Sequence, residues 1–319
     1  MVRNPLVMLA GVIPAALTVS VPDARLRAAL GEPPTGVDLI DWDMSTPAPI
    51  GAIDIVVTPY VGAVHRLAAL HGVRTRLVQS QTLGYDGVAE ELPAGVVYAN
   101  ATSVHETSTA EFALALVLAS QRGIDDFVRA AQRGTWAPAW HASLADRTIL
   151  LVGYGGVGKA IESRLRPFEV NIVRVASTAR IDNHGPVHVS SELAELLPTA
   201  EIVIVSVPLN ESTDHLVDER FLANMRDGAL LINVARGRVA DTDAILAEAV
   251  DGRLRFALDV VDPEPLPQGH PLFALPNVLV TPHVGGASSA MPPRIARLVK
   301  LQIERMIAGD MPLNVVLRT

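Results

Sequence analysis

Short β-branched runs alternate with longer stretches rich in Ala, Leu and Glu along the whole chain. Short continuous apolar runs are typical of strands buried in a parallel sheet, and the longer stretches between them are typical of helices. The alternation therefore predicts a doubly wound parallel α/β fold. The predicted strands cover residues 7–10, 54–58, 74–79, 96–98, 148–153, 171–176, 201–206, 229–233, 255–259 and 278–281.

Two longer helices are predicted. Residues 107–120 begin with Thr and Ser and carry Glu111 in the first turn, which favours a helix start there. Because this segment is apolar nearly all round, it is either buried or an oligomer contact. The tail, residues 291–313, is predicted to be helical with basic residues.

The N-terminal segment has two interpretations. Arg3 followed by an apolar run loosely resembles a secretory signal. The run has no convincing small-x-small cleavage pattern after it and is too short to span a bilayer. A buried first strand around residues 6–9, followed by a loop at Gly11 and Pro14, is the favoured interpretation.

Composition narrows the class of protein. A chain of 319 residues is long enough for two domains. Its formal net charge of −8 argues against nucleic acid or an anionic membrane as a partner, because both favour basic patches. The absence of Cys excludes disulfides and thiolate metal sites and fits a reducing compartment, so a cytoplasmic location is expected. No HExxH spacing supports a metal site.

A G-x-G-x-x-G sequence follows the predicted strand 148–153. Gly153, Gly155 and Gly158 lie between that strand and a predicted helix, a context that makes the motif specific for dinucleotides. The three glycines allow a tight turn, a close approach of the backbone to a pyrophosphate, and close packing of the helix on the strand. The N–H groups at the start of the helix then face the phosphates.

The residues after the next strand indicate which dinucleotide binds. An NAD site should have an acid there for the ribose hydroxyls, but no acid occurs between Glu169 and Asp182. Ser177, Thr178 and Arg180 stand there instead, with Arg174 upstream. Hydroxyls and a guanidinium suit a 2′-phosphate, so NADP(H) is favoured over NAD(H).

Three further polar groups follow predicted strands. Arg236 comes after strand 229–233, Asp259 and Glu264 come at and after the end of strand 255–259, and His283 comes after strand 278–281. Ligands of open α/β sheets bind at the carboxyl ends of the strands. These side chains are therefore candidates for one site.

With these motifs in order, the chain closely resembles the D-isomer-specific 2-hydroxyacid dehydrogenases. The resemblance extends from about residue 54 to residue 290. The motifs that carry it are LGYDGV, TSTAEFALAL, GTW, SLADRTILLVGYGGVG, VSVPLNESTDHLVD, MRDGALLINVARGRVADTDAI, ALDVVDPEPL and TPHVGG.

The resemblance implies catalytic roles for three residues. His283 would donate a proton to the ketone of a 2-oxo acid, and Glu264 would orient the ring and keep it protonated. Arg236 would bind the substrate carboxylate and polarise the carbonyl. Backbone N–H groups of Thr82, Leu83 and Gly84 would bind the other side of the carboxylate, in a cleft between two domains.

The resemblance also implies the domain organisation and the remaining cofactor contacts. Residues 1–100 and 285–319 would form a flavodoxin-like substrate domain, and residues 101–284 an inserted Rossmann dinucleotide-binding domain. A homodimer is expected. The expected cofactor contacts are Gly153, Tyr154, Gly155, Gly156, Val157, Gly158, Ser177, Thr178, Arg180, Val207, Pro208, Val234, Ala235, Asp259, Gly285 and Gly286.

The chain departs from the family pattern in two places, and two other functions stay open. Gly156 stands where the family often has Arg or Gln contacting phosphate, and the ribose acid is absent. A dinucleotide-sensing regulator with weak turnover is one alternative. A formate or phosphite dehydrogenase is the other, although formate-type enzymes place Gln before His, where this chain has Pro282. His105 is expected to be a solvated loop residue.

Overall fold

The computed structural model describes residues 16–319 of the chain. Within these residues the chain divides into two compact units. Unit 1 comprises the described residues up to Ala101 together with Ile295–Thr319, and unit 2 comprises Thr102–Arg294. The strand predicted at residues 7–10 lies outside the described residues.

Strands and helices alternate through both units. The strands of the described chain are β1 (Leu17–Val21), β2 (Val37–Asp41), β3 (Ile55–Val57), β4 (Leu77–Gln79), β5 (Val97–Ala99), β6 (Thr148–Val152), β7 (Asn171–Ala176), β8 (Arg180–Asp182), β9 (Gly185–Val189), β10 (Ile202–Val205), β11 (Leu230–Asn233), β12 (Arg255–Leu258), β13 (Val278–Val280) and β14 (Val315–Arg318). The helices are α1 (Ala24–Leu30), α2 (Val88–Glu91), α3 (Glu106–Arg122), α4 (Ile124–Gln132), α5 (Gly156–Leu165), α6 (Leu193–Leu196), α7 (Glu219–Ala223), α8 (Thr242–Asp251) and α9 (Met291–Ala308).

Unit 1 contains a sheet with the order β14-β5-β4-β3-β1-β2 among the described strands. All neighbours are parallel except β14, which runs antiparallel to β5. The five parallel strands have the flavodoxin-like order. Neither β1 nor β2 was among the predicted strands, because β1 lies at the end of a long apolar run and β2 contains two aspartates.

Unit 2 contains a sheet with the order β13-β12-β11-β10-β6-β7-β9-β8 within the described chain. Its parallel strands β6, β7, β9, β10, β11 and β12 have the Rossmann order, and β13 extends the sheet on the β12 side. The strand order reverses between β6 and β10. A crevice for ligands is expected outside the carboxyl ends of those two strands. The predicted doubly wound fold is confirmed in both units.

The two faces of the unit 2 sheet are covered by different helices. In β6, Ile149 and Leu151 pack in the core that includes α3 and α5, whereas Leu150 and Val152 pack in the core that includes α7 and α8. Side chains on a strand alternate between its faces, so a strand covered on both sides is apolar throughout. This is why the central strands were predictable from continuous apolar runs.

Helix α3 is longer than the predicted helix at both ends. Ala110, Ala113, Leu116 and Val117 are buried in the unit 2 core, which explains one apolar face of the helix without a partner chain. Gly123, with a φ of 59°, ends the helix in the left-handed conformation.

Three parts of the fold differ from the sequence-based expectation. Strands β8 and β9 form an antiparallel hairpin that was not predicted. The tail is helical only to Ala308 and then forms β14. Residues 285–294, expected with the substrate domain, lie in unit 2, because the Gly285 N–H donates to Asp259 at 2.8 Å and the Ser288 hydroxyl contacts Ser108 at 2.6 Å.

None of the helices in residues 16–319 combines the length and the apolarity that crossing a membrane requires.

Candidate active site

The glycine loop follows β6 at the point where the strand order of unit 2 reverses. Gly153 has a φ of 102°, and a Cβ there would lie 2.7 Å from the Ser206 carbonyl carbon at the end of β10. A Cβ at Gly158 would overlap the Gly153 carbonyl oxygen. The Ser206 hydroxyl donates to that same oxygen at 2.9 Å and closes the turn. Only glycine therefore fits at positions 153 and 158.

The start of helix α5 is open to an anion. Gly155 is its N-cap and has no side chain to bind the first N–H groups of the helix, and it is exposed. Free N–H groups and the positive end of the helix dipole suit a pyrophosphate. The loop of residues 153–158, including Gly156 and Val157, thus fits a bound dinucleotide.

The residues predicted to contact a 2′-phosphate form one group after β7. Ser177, Thr178 and Arg180 are exposed. The Arg180 guanidinium donates to the Thr178 carbonyl at 3.2 Å and to the Tyr154 carbonyl at 2.9 Å. The guanidinium therefore lies beside the glycine loop. Arg174, in contrast, is buried and donates to Glu162, so it does not belong to this group.

The residues after β10 and β11 flank the same edge of the sheet. Val207 is partly buried and Pro208 is exposed, whereas Val234 and Ala235 are buried. The Ala235 N–H donates to the Asn233 side chain at 3.0 Å, which turns the chain sharply after β11.

Arg236 follows that turn and is half-buried. One of its terminal nitrogens donates to the Ala235 carbonyl at 2.7 Å. Its neighbour Gly237 packs against Val261, whose carbonyl oxygen would overlap a Cβ at position 237. This close contact brings the segment of Arg236 next to the segment that leads from β12 to Glu264.

His283 and Glu264 are in direct contact. The His283 Nδ1 lies 2.6 Å from the Glu264 Oε1, and both side chains remain partly exposed, 43% and 41%. Because Nδ1 faces the carboxylate, Nε2 is the ring nitrogen left to act on a ligand. His283 has a φ of 53°, a left-handed conformation that is uncommon for residues other than glycine.

The Asp259 carboxylate holds the turn that carries His283. It is buried and accepts hydrogen bonds from the Thr281 hydroxyl at 2.7 Å, the Val284 N–H at 2.9 Å and the Gly285 N–H at 2.8 Å. The backbone N–H of His283 donates to the Asp259 carbonyl at 2.8 Å. Three of about four acceptor positions of the carboxylate are thus used within the protein.

The family model for "D-isomer specific 2-hydroxyacid dehydrogenase, NAD binding domain" matches residues 114–285, more than half of the chain. The chain belongs to this family. It is an NAD(P)-dependent 2-hydroxyacid oxidoreductase, and the predicted family is confirmed.

Individual relatives agree with this assignment. The dehydrogenase is 33% identical over 253 residues to a glyoxylate reductase of Korarchaeum cryptofilum, covering 76% of each chain. It is 32% identical over 279 residues to a glyoxylate reductase of Pyrococcus horikoshii, covering 83% of each. A crystal structure of a D-isomer specific 2-hydroxyacid dehydrogenase from Xanthobacter autotrophicus Py2, in complex with NADPH and MES, is 28% identical with a TM-score of 0.79 and covers 95% of this chain and 98% of that one.

Two residues of the dehydrogenase near the glycine loop were missed or misjudged from sequence. His105 is not a solvated loop residue: it is buried, and its Nδ1 lies 3.2 Å from the Gly286 carbonyl. The Glu106 side chain lies beside Gly156, where a Cβ would be 3.1 Å from the Glu106 Cγ. A longer side chain at position 156 would therefore require the Glu106 side chain to shift. His105 and Glu106 both come after β5, but nothing in the sequence around them indicated that they contact Gly286 and Gly156.

The proposed carboxylate-binding residues of unit 1 form a tight turn. The Thr82 N–H donates to the Ser80 hydroxyl at 3.0 Å, and the Thr82 hydroxyl donates to the Gly84 carbonyl at 2.9 Å. The Leu83 carbonyl accepts from the Asn100 side chain at 2.9 Å. Because the Thr82 N–H is already paired, Leu83 and Gly84 are the remaining candidate donors.

Among residues 16–319, no group of three or more His, Asp or Glu side chains lies together so that it could hold a metal ion.

Proposed function

We propose that the dehydrogenase reduces a small 2-oxo acid to the D-2-hydroxy acid with NADPH. The contact of 2.6 Å between His283 and Glu264, beside the segment of Arg236, carries this proposal. A histidine oriented by a carboxylate is a suitable acid for a carbonyl oxygen, and an arginine beside it suits the substrate carboxylate.

His283 supplies the proton in the proposed mechanism. A bound nicotinamide would supply the hydride from its C4. The Nε2 of His283 donates its proton to the carbonyl oxygen as negative charge develops there, and it removes that proton in the reverse direction. Glu264 contacts Nδ1 and so orients the ring with Nε2 directed away from the carboxylate.

Arg236 binds the substrate carboxylate in this proposal. A planar guanidinium can contact two oxygens at once and so fixes the orientation of the reacting carbonyl. Val207, Pro208, Val234 and Ala235 are proposed to contact the cofactor, together with Gly285 and Gly286. Asp259 is proposed to accept one bond from the nicotinamide amide in addition to holding the 281–285 turn.

The preference for NADP(H) rests on the exposed group after β7. Arg180 and the hydroxyls of Ser177 and Thr178 lie where an acid would bind the ribose of NAD. The structure from Xanthobacter autotrophicus Py2 contains NADPH, which supports the proposal.

A panel of 2-oxo acids assayed with NADPH and with NADH tests the function. We expect NADPH oxidation with glyoxylate, hydroxypyruvate or a larger 2-oxo acid, and a kcat/KM for NADPH at least ~10-fold above that for NADH, as charge-assisted bonds to a phosphate would give. In the reverse direction only the D-isomer of a chiral 2-hydroxy acid should react. Equal efficiency with both cofactors would contradict the preference. Turnover of formate or phosphite would favour a formate or phosphite dehydrogenase. Binding of NADPH without turnover of any substrate would favour a dinucleotide-sensing regulator.

A homodimer is part of the proposal. Residues 131–140 are exposed throughout, Trp136 and Trp140 almost fully, and Ile124 and Val128 of the preceding helix α4 are half-exposed. Exposed aromatic side chains on one segment favour a protein partner. We expect light scattering to give twice the mass of one chain, and Trp136→Ser with Trp140→Ser to shift the protein to the monomer. A monomeric wild type at micromolar concentration would contradict this.

Two further parts of the proposal concern partners that do not bind and the location of the protein. The net charge of −8 supports the proposal that neither nucleic acid nor a membrane binds, and the absence of Cys supports a cytoplasmic location.

A further inference from the structure

Tyr154, the residue between the first two glycines of the loop, is buried in a polar network. It is 3% exposed, and its hydroxyl donates to Glu162 Oε2 at 2.5 Å. Glu162 in turn accepts from two nitrogens of Arg174, one at 2.7 Å. All three side chains are buried, so the position of the tyrosine ring is fixed by groups that do not face solvent.

The ring is surrounded by positive charge. The Lys159 ammonium and the Arg174 guanidinium each lie 5.8 Å from its centroid, and the Arg180 guanidinium lies 5.7 Å from it. These distances are within the range of a cation–π contact. Burial, followed by the hydrogen bond to Glu162, raises the pKa of Tyr154 to about 12, so the hydroxyl stays a donor in any ordinary assay.

Arg180 contacts Tyr154 in two ways. Its guanidinium lies over the ring and also donates to the Tyr154 backbone carbonyl at 2.9 Å. Arg180 is exposed, and an exposed arginine without such contacts would sample many rotamers. Two contacts with one rigid residue restrict the guanidinium to the end of β7. Asp182, the acid nearest to Arg180 in sequence, accepts a hydrogen bond from the His184 N–H at 2.9 Å.

We infer that Tyr154 is a positioning residue for cofactor selectivity: its ring and carbonyl hold Arg180 ready for the 2′-phosphate of NADP(H). This inference rests on the proposed preference for NADP(H). A preorganised guanidinium loses less conformational freedom when the phosphate binds, and this gain is absent for NAD(H), which has only a hydroxyl there.

A double-mutant cycle on the ratio of kcat/KM for NADPH to kcat/KM for NADH tests the inference. Both cofactors are measured on the same preparation, so the ratio does not depend on the folded fraction. Arg180→Gln should lower the ratio at least ~10-fold, and Tyr154→Leu should lower it ~2- to 5-fold, the range of one exposed cation–π contact. Tyr154→Phe keeps the ring, its burial and the carbonyl and loses only the bond to Glu162, so it should lower the ratio less than Tyr154→Leu does. The double variant should match Arg180→Gln alone.

The variants separate the inference from the function that it depends on. If Tyr154→Leu leaves the ratio unchanged, or lowers it by the same factor when Arg180 is already Gln, Tyr154 does not act through Arg180 and the inference is wrong. If the wild-type ratio is close to 1, the proposed NADP(H) preference itself is wrong. If the wild type prefers NADPH but Arg180→Gln has no effect on the ratio, Arg180 does not bind the 2′-phosphate and the inference is wrong while the preference stands. Arg220→Gln, at an exposed arginine of α7, is the matched control and should not change the ratio.

Discussion

Replacing His283 with Ala is expected to lower kcat at least ~100-fold, the lower range for loss of a general acid, and to leave NADPH binding unchanged. The His283–Glu264 pair is 43% and 41% exposed, and exposed ion pairs contribute at most ~1 kcal/mol to folding. A large loss of turnover therefore reports on chemistry. The measurements are kcat at saturating 2-oxo acid and a fluorescence titration with NADPH.

Two further variants make this experiment specific. His283→Asn removes the imidazole but tolerates the φ of 53° better than Ala does, so it should reproduce the loss of turnover without backbone strain. His188→Ala removes another histidine whose Nδ1 contacts a glutamate, Glu192, at 2.7 Å, and it should keep wild-type kcat. Weaker NADPH binding in both His283 variants would instead show that this histidine has a structural role.

The fold was largely predictable because its central strands are covered on both faces. Strand β7 has the predicted bounds, and β10, β11, β12 and β13 lie within theirs. Prediction failed where this condition does not hold. The hairpin β8–β9 lacks a continuous apolar run, and β2 has two aspartates among its five residues. Such edge elements depend on contacts that distant residues supply.

The candidate site was predictable as a set of strand ends, but not in its supporting contacts. Arg236, Glu264 and His283 follow adjacent strands, and the structure brings Glu264 and His283 together. The network of Tyr154, Glu162 and Arg174 joins a loop, a helix and a strand. No local pattern reveals that Arg174 faces a buried glutamate. For that reason the sequence alone groups Arg174 with the residues predicted to bind a 2′-phosphate.

Arg236→Gln is expected to raise the KM for the 2-oxo acid ~10- to 150-fold, which corresponds to the loss of ~1.5–3 kcal/mol from a hydrogen bond to a charged group. Gln retains a donor of similar reach but neither the charge nor the planar fork. The KM for NADPH should change little, since the proposed role of Arg236 concerns the substrate carboxylate. Steady-state kinetics with each substrate varied in turn measures both constants.

The strongest check on Arg236 uses a substrate without the carboxylate. A simple aldehyde lacks the carboxylate, so Arg236→Gln should lower kcat/KM for the aldehyde much less than it lowers kcat/KM for the 2-oxo acid. Arg238→Gln is the matched control: this arginine lies two residues further, is 57% exposed and pairs with Asp214, so its loss should leave the KM for the 2-oxo acid unchanged. An equal loss of activity toward the aldehyde and the 2-oxo acid would show that Arg236 acts on the carbonyl or the fold and does not recognise the carboxylate.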